Sequence, residues 1–420
     1  MAMRGFLFYK AASADFRVKV LVVPVAGHNP VRPCGPVTVL PMPGTRELAS
    51  GVPALAGDSA WRDRMTRSHP LPGPAAAAPA ALADAVIRAA RARPGTPVHV
   101  ARSYLLPLGA AVAERLRSAW ATADLDDDDQ ELASVAGNDG EAAAYGRLIG
   151  VFGPLFGGLA AAAPREAAAM TRRHGLTLTV IPNAVALPPA CSSARLGLGG
   201  LGRLAHVPGG SGSLGRTARR AGPSGRPSGW PRRAPAGSVL FVGNLTYWPN
   251  ADAAIRLVRG VLPRLRCLTA DPVTVTLVGN HGMHPELLSL AGEAGVRLTG
   301  FVPDPAPYYR EADVLVVPLG FGAGTRIKLL EAFAWGLPVV TTSQGASGLA
   351  VNDGVHALVA DSADAMAAAV ARLLTDGQLR DRLAAHAFDL VRDCYALDAV
   401  VPRIGRFFRA AADRAVPART

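Results

Sequence analysis

Cysteine is scarce in this chain of 420 residues, and the four present, Cys34, Cys191, Cys267 and Cys394, show no CxxC spacing. That usage argues against a zinc ribbon and against a disulfide-stapled secreted scaffold, and it fits a reducing cytoplasm. Long hydrophobic runs are also missing. The N-terminal stretch VKVLVVPVAG is too short to span a bilayer, and no charged region, apolar core and small-residue cleavage pattern precedes it. Acid is absent from one whole segment: Cys191 to Gly237 holds eight arginines and no carboxylate, which takes eight of the net twelve positive charges and leaves four for the rest. The basicity is local, so the total charge does not point to nucleic acid as a partner.

What is present suffices for two domains of ordinary size, since half of the residues are apolar and the mean hydropathy is +0.21. The excess of Ala, Gly, Pro and Arg reads as coding bias and carries no functional information. Between residues 191 and 237 twelve glycines, with many serines and prolines, break any helical or strand period. This stretch reads as a linker, either a plain tether or an arginine-rich contact to anionic lipid headgroups or polyanionic glycan. On both sides of it, apolar strand-like runs alternate with Ala-rich helical ones. Before it come VKVLVVPVAG, PVTVLPM, LADAVIRAARAR, PVHVA, LLPLGAAVAERLRSAW, ATADLDD, REAAAMTRRHG and TLTVIPN; after it come SVLFVGN, ADAAIRLVRGVLPRL, VTVTLVGN, PELLSLAGEAG, VRLTGFV, ADVLVVPL and LPVVTTS. Continuous apolar strands separated by helices imply parallel sheets covered on both faces. The expected organisation is α/β: a Rossmann-like domain over 1–190, the linker 191–237, a second Rossmann-like domain over 238–400, and a C-terminal helix over 401–420 packing back on the first domain.

Ligands of such sheets bind outside the carboxyl ends of the strands. In the second half these ends carry Gly243-Asn244, Gly279-Asn280, Gly300-Phe301-Val302 and Gly322-Ala323-Gly324-Thr325. The last of them opens FGAGTRIKLLEAFAWGLPVV. Thr325 is a good N-cap for a helix running to about Trp335, with Gly336 and Pro338 ending it. Free N–H groups, the positive end of the helix dipole and the charges of Arg326 and Lys328 would then converge on an anion. Leu329, Leu330, Phe333 and Ala334 share one face, Lys328, Glu331 and Trp335 another. Glu331 falls roughly 9 Å down the axis from a bound phosphate, within reach of a ribose. The plainer alternative is a surface helix with a Lys–Glu pair one turn apart.

From Ser238 to about Arg409 the chain resembles the donor-binding half of GT-B glycosyltransferases of the group-1, family 4 type. The resemblance rests on FVGNLTYWPN, GFVPDPAPYYREADVLVVPL, GAGTRIKLLEAFAWGLPVVTTSQGASGL and HALVAD, in that order and spacing. It implies two Rossmann-like domains facing each other across a cleft. It also implies transfer of a sugar, with retention, from a nucleotide diphosphate-sugar to a glycan or lipid-linked acceptor in surface polysaccharide biosynthesis, without metal or other cofactor. The loop Gly322, Ala323, Gly324 and Thr325, with Arg326 and Lys328, would hold the diphosphate. Glu331 would bind the ribose, Phe301 and Val302 would lie near the base, and Gly243, Asn244 and Gly279 would line the donor. Many members carry a first glutamate eight positions before the second; here Ala323 stands there, so sugar recognition falls to backbone amides or other side chains.

The first half resembles the family more weakly, through HVARSYLLPL, ADLDDDDQ and VIPNAVALP. His99 reads as a core or strand-end histidine, and Arg102 and Ser103 are the acceptor-side candidates. Asp124 and Asp126 match the D-x-D pattern that holds Mn²⁺ or Mg²⁺ in the other major glycosyltransferase fold; a solvated loop or an acceptor contact is the preferred reading. The expected location is cytoplasmic, with a peripheral contact at the inner face of the membrane. Two rivals share the architecture: a sugar-nucleotide 2-epimerase and a non-catalytic or truncated sugar-nucleotide-binding homologue. The opening MAMRGFLFYKAASADFRVKVLVVPVAG reads as a short helix followed by a strand, where a Rossmann-like half normally opens with a strand, a glycine turn and a helix. The expectation is that a first strand lies upstream or that this copy is truncated; the plainer alternative is a subtype whose sheet starts one strand later.

Overall fold

The alternation of strand and helix signals is realised in a computed structural model that describes residues 2–22, 37–39, 82–135, 137–188, 237–282, 284–321 and 326–415. Most of the linker and the loop Gly322–Thr325 lie outside the described residues. Among the described residues, 2–183 and 400–415 form one compact unit, and 184–321 with 326–399 form another. Val185 belongs to the second unit because its N–H donates to the carbonyl of Tyr395 (2.9 Å) and its carbonyl accepts from Leu397 (3.2 Å).

In the first unit, β1 (Val20–Val22) pairs with β2 (Val37–Val39), while β3 (Val98–Ala101), β4 (Ala121–Asp124), β5 (Gly158–Ala161) and β6 (Leu178–Val180) form a parallel sheet in sequential order. Helices Ala2–Ala12, Ala83–Ala90, Leu106–Arg115, Asp139–Phe152 and Pro164–His174 accompany these strands. The core gathers Leu106, Leu125, Leu148, Ile149, Phe152 and Met170. The helix Asp139–Phe152 starts at an Asn138 cap, whose Oδ1 accepts from Glu141 N and whose Nδ2 donates to Glu141 Oε2. His99 is packed as the sequence suggests for a core histidine. It stacks on Phe8 at 4.6 Å and meets Phe408 edge-on at 5.1 Å, with Nδ1 2.9 Å from Thr122 Oγ1. Burial, then the charge of Arg4, pushes this imidazole down to about 3, so it is neutral.

In the second unit β7 (Ser238–Val242), β8 (Thr274–Val278), β9 (Val296–Leu298), β10 (Val314–Val317), β11 (Val339–Thr341) and β12 (Leu358–Val359) form one parallel sheet in the order β12-β11-β10-β7-β8-β9. The chain therefore lays strands outward on one side of β7 and then restarts at β10 on its other side. That reversal is a topological switch point, where an open α/β sheet splays its connections and leaves room for a ligand. Val314 to Val317 are fully buried, as apolar strands covered on both faces must be. The helical stretch after β7 is not uniform: Trp248–Ile255 passes into a π-helical segment Arg256–Val261 and then Leu262–Leu268. Pro263 accounts for the break, because it lacks an N–H and crowds the carbonyl four residues back. Among the described residues no helix is long and apolar enough to cross a membrane.

The strand-end glycines are tied to one another. Gly243 N donates to Val278 O (2.9 Å) and Gly279 N to Gly300 O (3.1 Å). Gly279 has φ +146°, and a Cβ there would overlap the carbonyl oxygen of Gly243. Backbone approach alone thus demands glycine at 279, whatever ligand lies beyond it. Gly279→Ala is expected to destabilise the second unit by about 2 kcal/mol or more, from a strained backbone plus displaced main chain. An unchanged urea midpoint would contradict this.

Candidate donor site at the switch point

The helix following β10 runs Ile327–Ala334, with Arg326 in the N-cap position and Trp335 at the C-cap. The start falls one residue later than a Thr325 cap would give, and Arg326 makes no side-chain cap bond; Thr325, with Gly322, Ala323 and Gly324, lies outside the described residues. Leu329, Leu330, Phe333 and Ala334 are buried as their spacing predicts. Ala332 is buried as well, so the helix is enclosed over more of its circumference than a surface helix would be.

That enclosure decides the fate of the two charged residues. Lys328 is half-buried, with its ammonium turned inward: Nζ donates to Asn250 Oδ1 at 2.7 Å and lies 4.4 Å from the centroid of the buried Phe241 ring. Glu331 Oε2 accepts the phenol proton of Tyr309 at 2.7 Å. Each side chain is held by a partner from another element, so the plain Lys–Glu surface pair is not what forms. Burial pushes the Glu331 carboxyl up, opposed by the Tyr309 hydrogen bond and the charge of Lys328. Burial and the neighbouring carboxylate push Tyr309 well above the ordinary phenol value, which keeps it a neutral donor. Arg326 is buried too, with Nη2 3.5 Å from the carbonyl of Gln344.

Gly243 closes this group from β7. A Cβ at that position would sit 2.9 Å from Lys328 Nζ and 3.1 Å from Asn250 Cγ. The carbonyl of Asn244 accepts from Asn250 Nδ2 (2.9 Å), and Asn244 Oδ1 accepts from the Thr246 N–H and hydroxyl. Gly243, Asn244 and Lys328 thus meet around Asn250 at the β7/β10 switch point, while Glu331, further along the same helix, is held by Tyr309. Gly279, Phe301 and Val302 follow β8 and β9 along the same edge. Phe301 is 75% exposed, an aromatic face open to solvent, while Val302 packs on the core. Asn250 and Tyr309 were not singled out by sequence. Both lie inside the quoted motifs, and an asparagine in the first turn after Trp248-Pro249 was the available signal, since such a residue seeks a local or tertiary partner.

In the first unit Arg102 has φ +94° and forms ion pairs with Asp126 (3.0 Å) and Asp127 (3.2 Å). Ser103 is buried and donates its hydroxyl to Asp129, whose carboxyl is pushed up to about 6, chiefly by burial. The D-x-D carboxylates are occupied by guanidinium groups: Arg4 binds Asp124 through two 2.6 Å hydrogen bonds and Asp126 at 3.1 Å. Among the described residues no group of three His, Cys, Asp or Glu side chains is arranged to hold a metal ion.

Residues 236–376 match the family described as glycosyl transferases group 1. The phosphatidyl-myo-inositol mannosyltransferase of Mycolicibacterium smegmatis is 37% identical over 169 residues, which is 39% of this chain and 42% of that protein. The chain spans less than half the length of the curated relatives it matches. Among solved structures, Anabaena HepE in complex with UDP and glucose is 17% identical, covers 81% of this chain and 84% of its own, and has a TM-score of 0.56. Sucrose-phosphate synthase from Thermosynechococcus elongatus, also 17% identical, covers 96% and 91% with a TM-score of 0.58. At that identity the likeness is one of fold. The chain therefore has the GT-B fold of two Rossmann-like units, and its residues 236–376 are a group 1 glycosyl transferase domain.

Proposed function

We propose that the protein is an enzyme that transfers a sugar from a nucleotide diphosphate-sugar to a glycan or lipid-linked acceptor, with retention, in surface polysaccharide assembly. The observation that carries this reading is the placement of Arg326, Lys328 and Glu331 on one enclosed helix at the β7/β10 switch point, inside the group 1 domain. In such a transfer the leaving group is a nucleoside diphosphate, whose departing charge needs fixed cations and N–H donors more than a protein nucleophile. Arg326 and Lys328 supply the cations. Glu331, oriented by Tyr309, offers a carboxylate to the ribose hydroxyls. UDP and glucose bound in HepE support a uridine donor as the first to try. Arg102 and Ser103 are proposed for the acceptor side, and no metal is assigned to the reaction. A cytoplasmic location with peripheral contact at the membrane completes the reading.

The test is thermal stabilisation of the 420-residue protein by a panel beginning with UDP-glucose and GDP-mannose, followed by a transfer assay in EDTA. A ligand present at 100 times its dissociation constant stabilises by about 2.7 kcal/mol. Complete loss of transfer in EDTA, restored by Mn²⁺, would overturn the metal-independent reading. Solvent deuterium entering the donor sugar at C2 would reveal an epimerase instead. Glu331→Ala is expected to weaken nucleoside diphosphate binding by about 1.5 to 3 kcal/mol without unfolding the unit. Unchanged affinity would remove Glu331 from the ribose.

A further inference from the structure

A buried lysine ordinarily sits against a carboxylate, because an ammonium taken out of water is costly without an opposite charge. Lys328 has a different partner. Its hydrogen bond runs to the neutral side-chain oxygen of Asn250, Nζ lies over the Phe241 ring, and a Cβ at Gly243 would stand 2.9 Å from Nζ, so position 243 can offer it no side-chain partner. Asn250 is itself fixed, since Nδ2 is committed to the carbonyl of Asn244; the amide is therefore oriented with Oδ1 toward the lysine. From its own helix Lys328 feels Arg326, which repels, and Glu331, which attracts but is turned to the Tyr309 phenol. The helix that carries Asn250 also carries Asp252, whose carboxylate is tied to Arg256 at 2.7 Å. The balance goes against the charged form: burial first and Arg326 second push the ammonium down to about 7, with Glu331 pulling the other way.

We propose that Asn250 is a positioning residue that holds Lys328 with no carboxylate paired to it among the described residues, so that the lysine sheds its proton in the free protein and regains one from solvent when a diphosphate arrives. The identity of the ligand rests on the function proposed above; the state of the lysine does not. In this arrangement the full charge appears only when the group it serves is present, and donor affinity falls as pH rises above 7, by up to about tenfold per pH unit. A neutral amide suits the task because it accepts from either form of the lysine and favours the ammonium by much less than a carboxylate would. Asn250→Asp would supply the missing counter-ion and hold the lysine charged at every pH near neutrality.

The chain contains three lysines, Lys10, Lys19 and Lys328, so their Cε resonances can be followed by NMR in the full-length protein with ¹³C-lysine, Lys328 being the one lost in Lys328→Arg. Its midpoint is expected near neutrality in the wild type and at least one pH unit higher in Asn250→Asp. Should that variant not fold, Asn250→Ser withdraws the acceptor and is expected to lower the midpoint. A wild-type midpoint in the ordinary lysine range, about 10.4, or one indifferent to position 250, would overturn the proposal. The ligand half is read by calorimetric titration of UDP and GDP at pH 8 in HEPES and in Tris, whose ionisation enthalpies differ. Uptake of most of a proton per nucleotide in the wild type, and little in Asn250→Asp, is expected; equal uptake in both would overturn the coupling. If neither nucleotide binds while Lys328 titrates near neutrality, the coupling and the donor reading fall together and the positioning by Asn250 stands.

Discussion

Replacing Arg4 with alanine is expected to cost the first unit about 3 to 5 kcal/mol, the largest stability effect of any single substitution considered. Arg4 is 5% exposed and satisfies most of its donors in the interior. It makes two 2.6 Å bonds to Asp124, one of 2.9 Å to the carbonyl of Ile181 and one of 3.3 Å to Asn183, and it lies over the Phe8 ring at 5.5 Å. Alanine would leave Asp124, itself 1% exposed, as a buried carboxylate without its counter-ion. The loss comes from that stranded charge, not from the intrinsic worth of the pair. A double variant Arg4→Met, Asp124→Leu should accordingly lose much less than Arg4→Ala, since both members of the unfavourable burial are gone. Urea unfolding followed through Trp120, which packs against Phe408 in this unit, reads both variants. An Arg4→Ala midpoint equal to that of the wild type would show that the pair contributes nothing.

The second large effect is on the chemical step. Lys328→Ala is expected to slow sugar transfer about 10²- to 10³-fold while leaving nucleoside affinity nearly unchanged, because the missing charge matters most as the diphosphate leaves. Equal losses for nucleoside and diphosphate ligands would contradict this assignment. Stability should move the opposite way. The folded-state value of Lys328, about 7, lies below the unfolded one, so the native state disfavours the charged lysine. That penalty is complete below pH 7 and fades as pH rises toward about 10.4. Lys328→Met, which keeps the stem and removes the charge, should therefore be more stable than wild type at pH 7 by about 1 kcal/mol or more, and lose that advantage near pH 10. A functional cation held at a cost to the fold behaves this way; an ordinary surface lysine does not.

The second unit was legible because its strands are continuous apolar runs and the helix after β10 carries apolar residues at helical spacing. β10 and the Leu329, Leu330, Phe333 and Ala334 face follow directly from that pattern. In the first unit the pattern is weaker. β5 is Gly-Leu-Ala-Ala, buried at all four positions yet without a β-branched or aromatic residue, so nothing local distinguishes it from a loop or a helix end. The helix Asp139–Phe152 went unread for a related reason: its opening turns bury only Ala142 and Ala144, and the larger inward residues Tyr145, Leu148, Ile149 and Phe152 are confined to the remainder, too short a stretch to establish a helical period.

By itself the sequence determined which segments are strands and helices where apolar side chains recur at the period of the element, and it determined the order of chemistry along the switch-point loop: glycines, arginine, lysine, glutamate. Local spacing is enough for this, since it depends on residues a few positions apart. Only the tertiary structure decided what those groups meet. Lys328 and Asn250 are 78 residues apart, Glu331 and Tyr309 are 22, and Arg4 and Asp124 are 120. These contacts exist because β10 returns beside β7 and because the first helix seats its arginine on the end of β4. Whether a lysine is a solvated surface charge or an enclosed one near neutrality follows from that packing, because the energy of a charge is set by the dielectric and the partners around it and not by its neighbours in the chain.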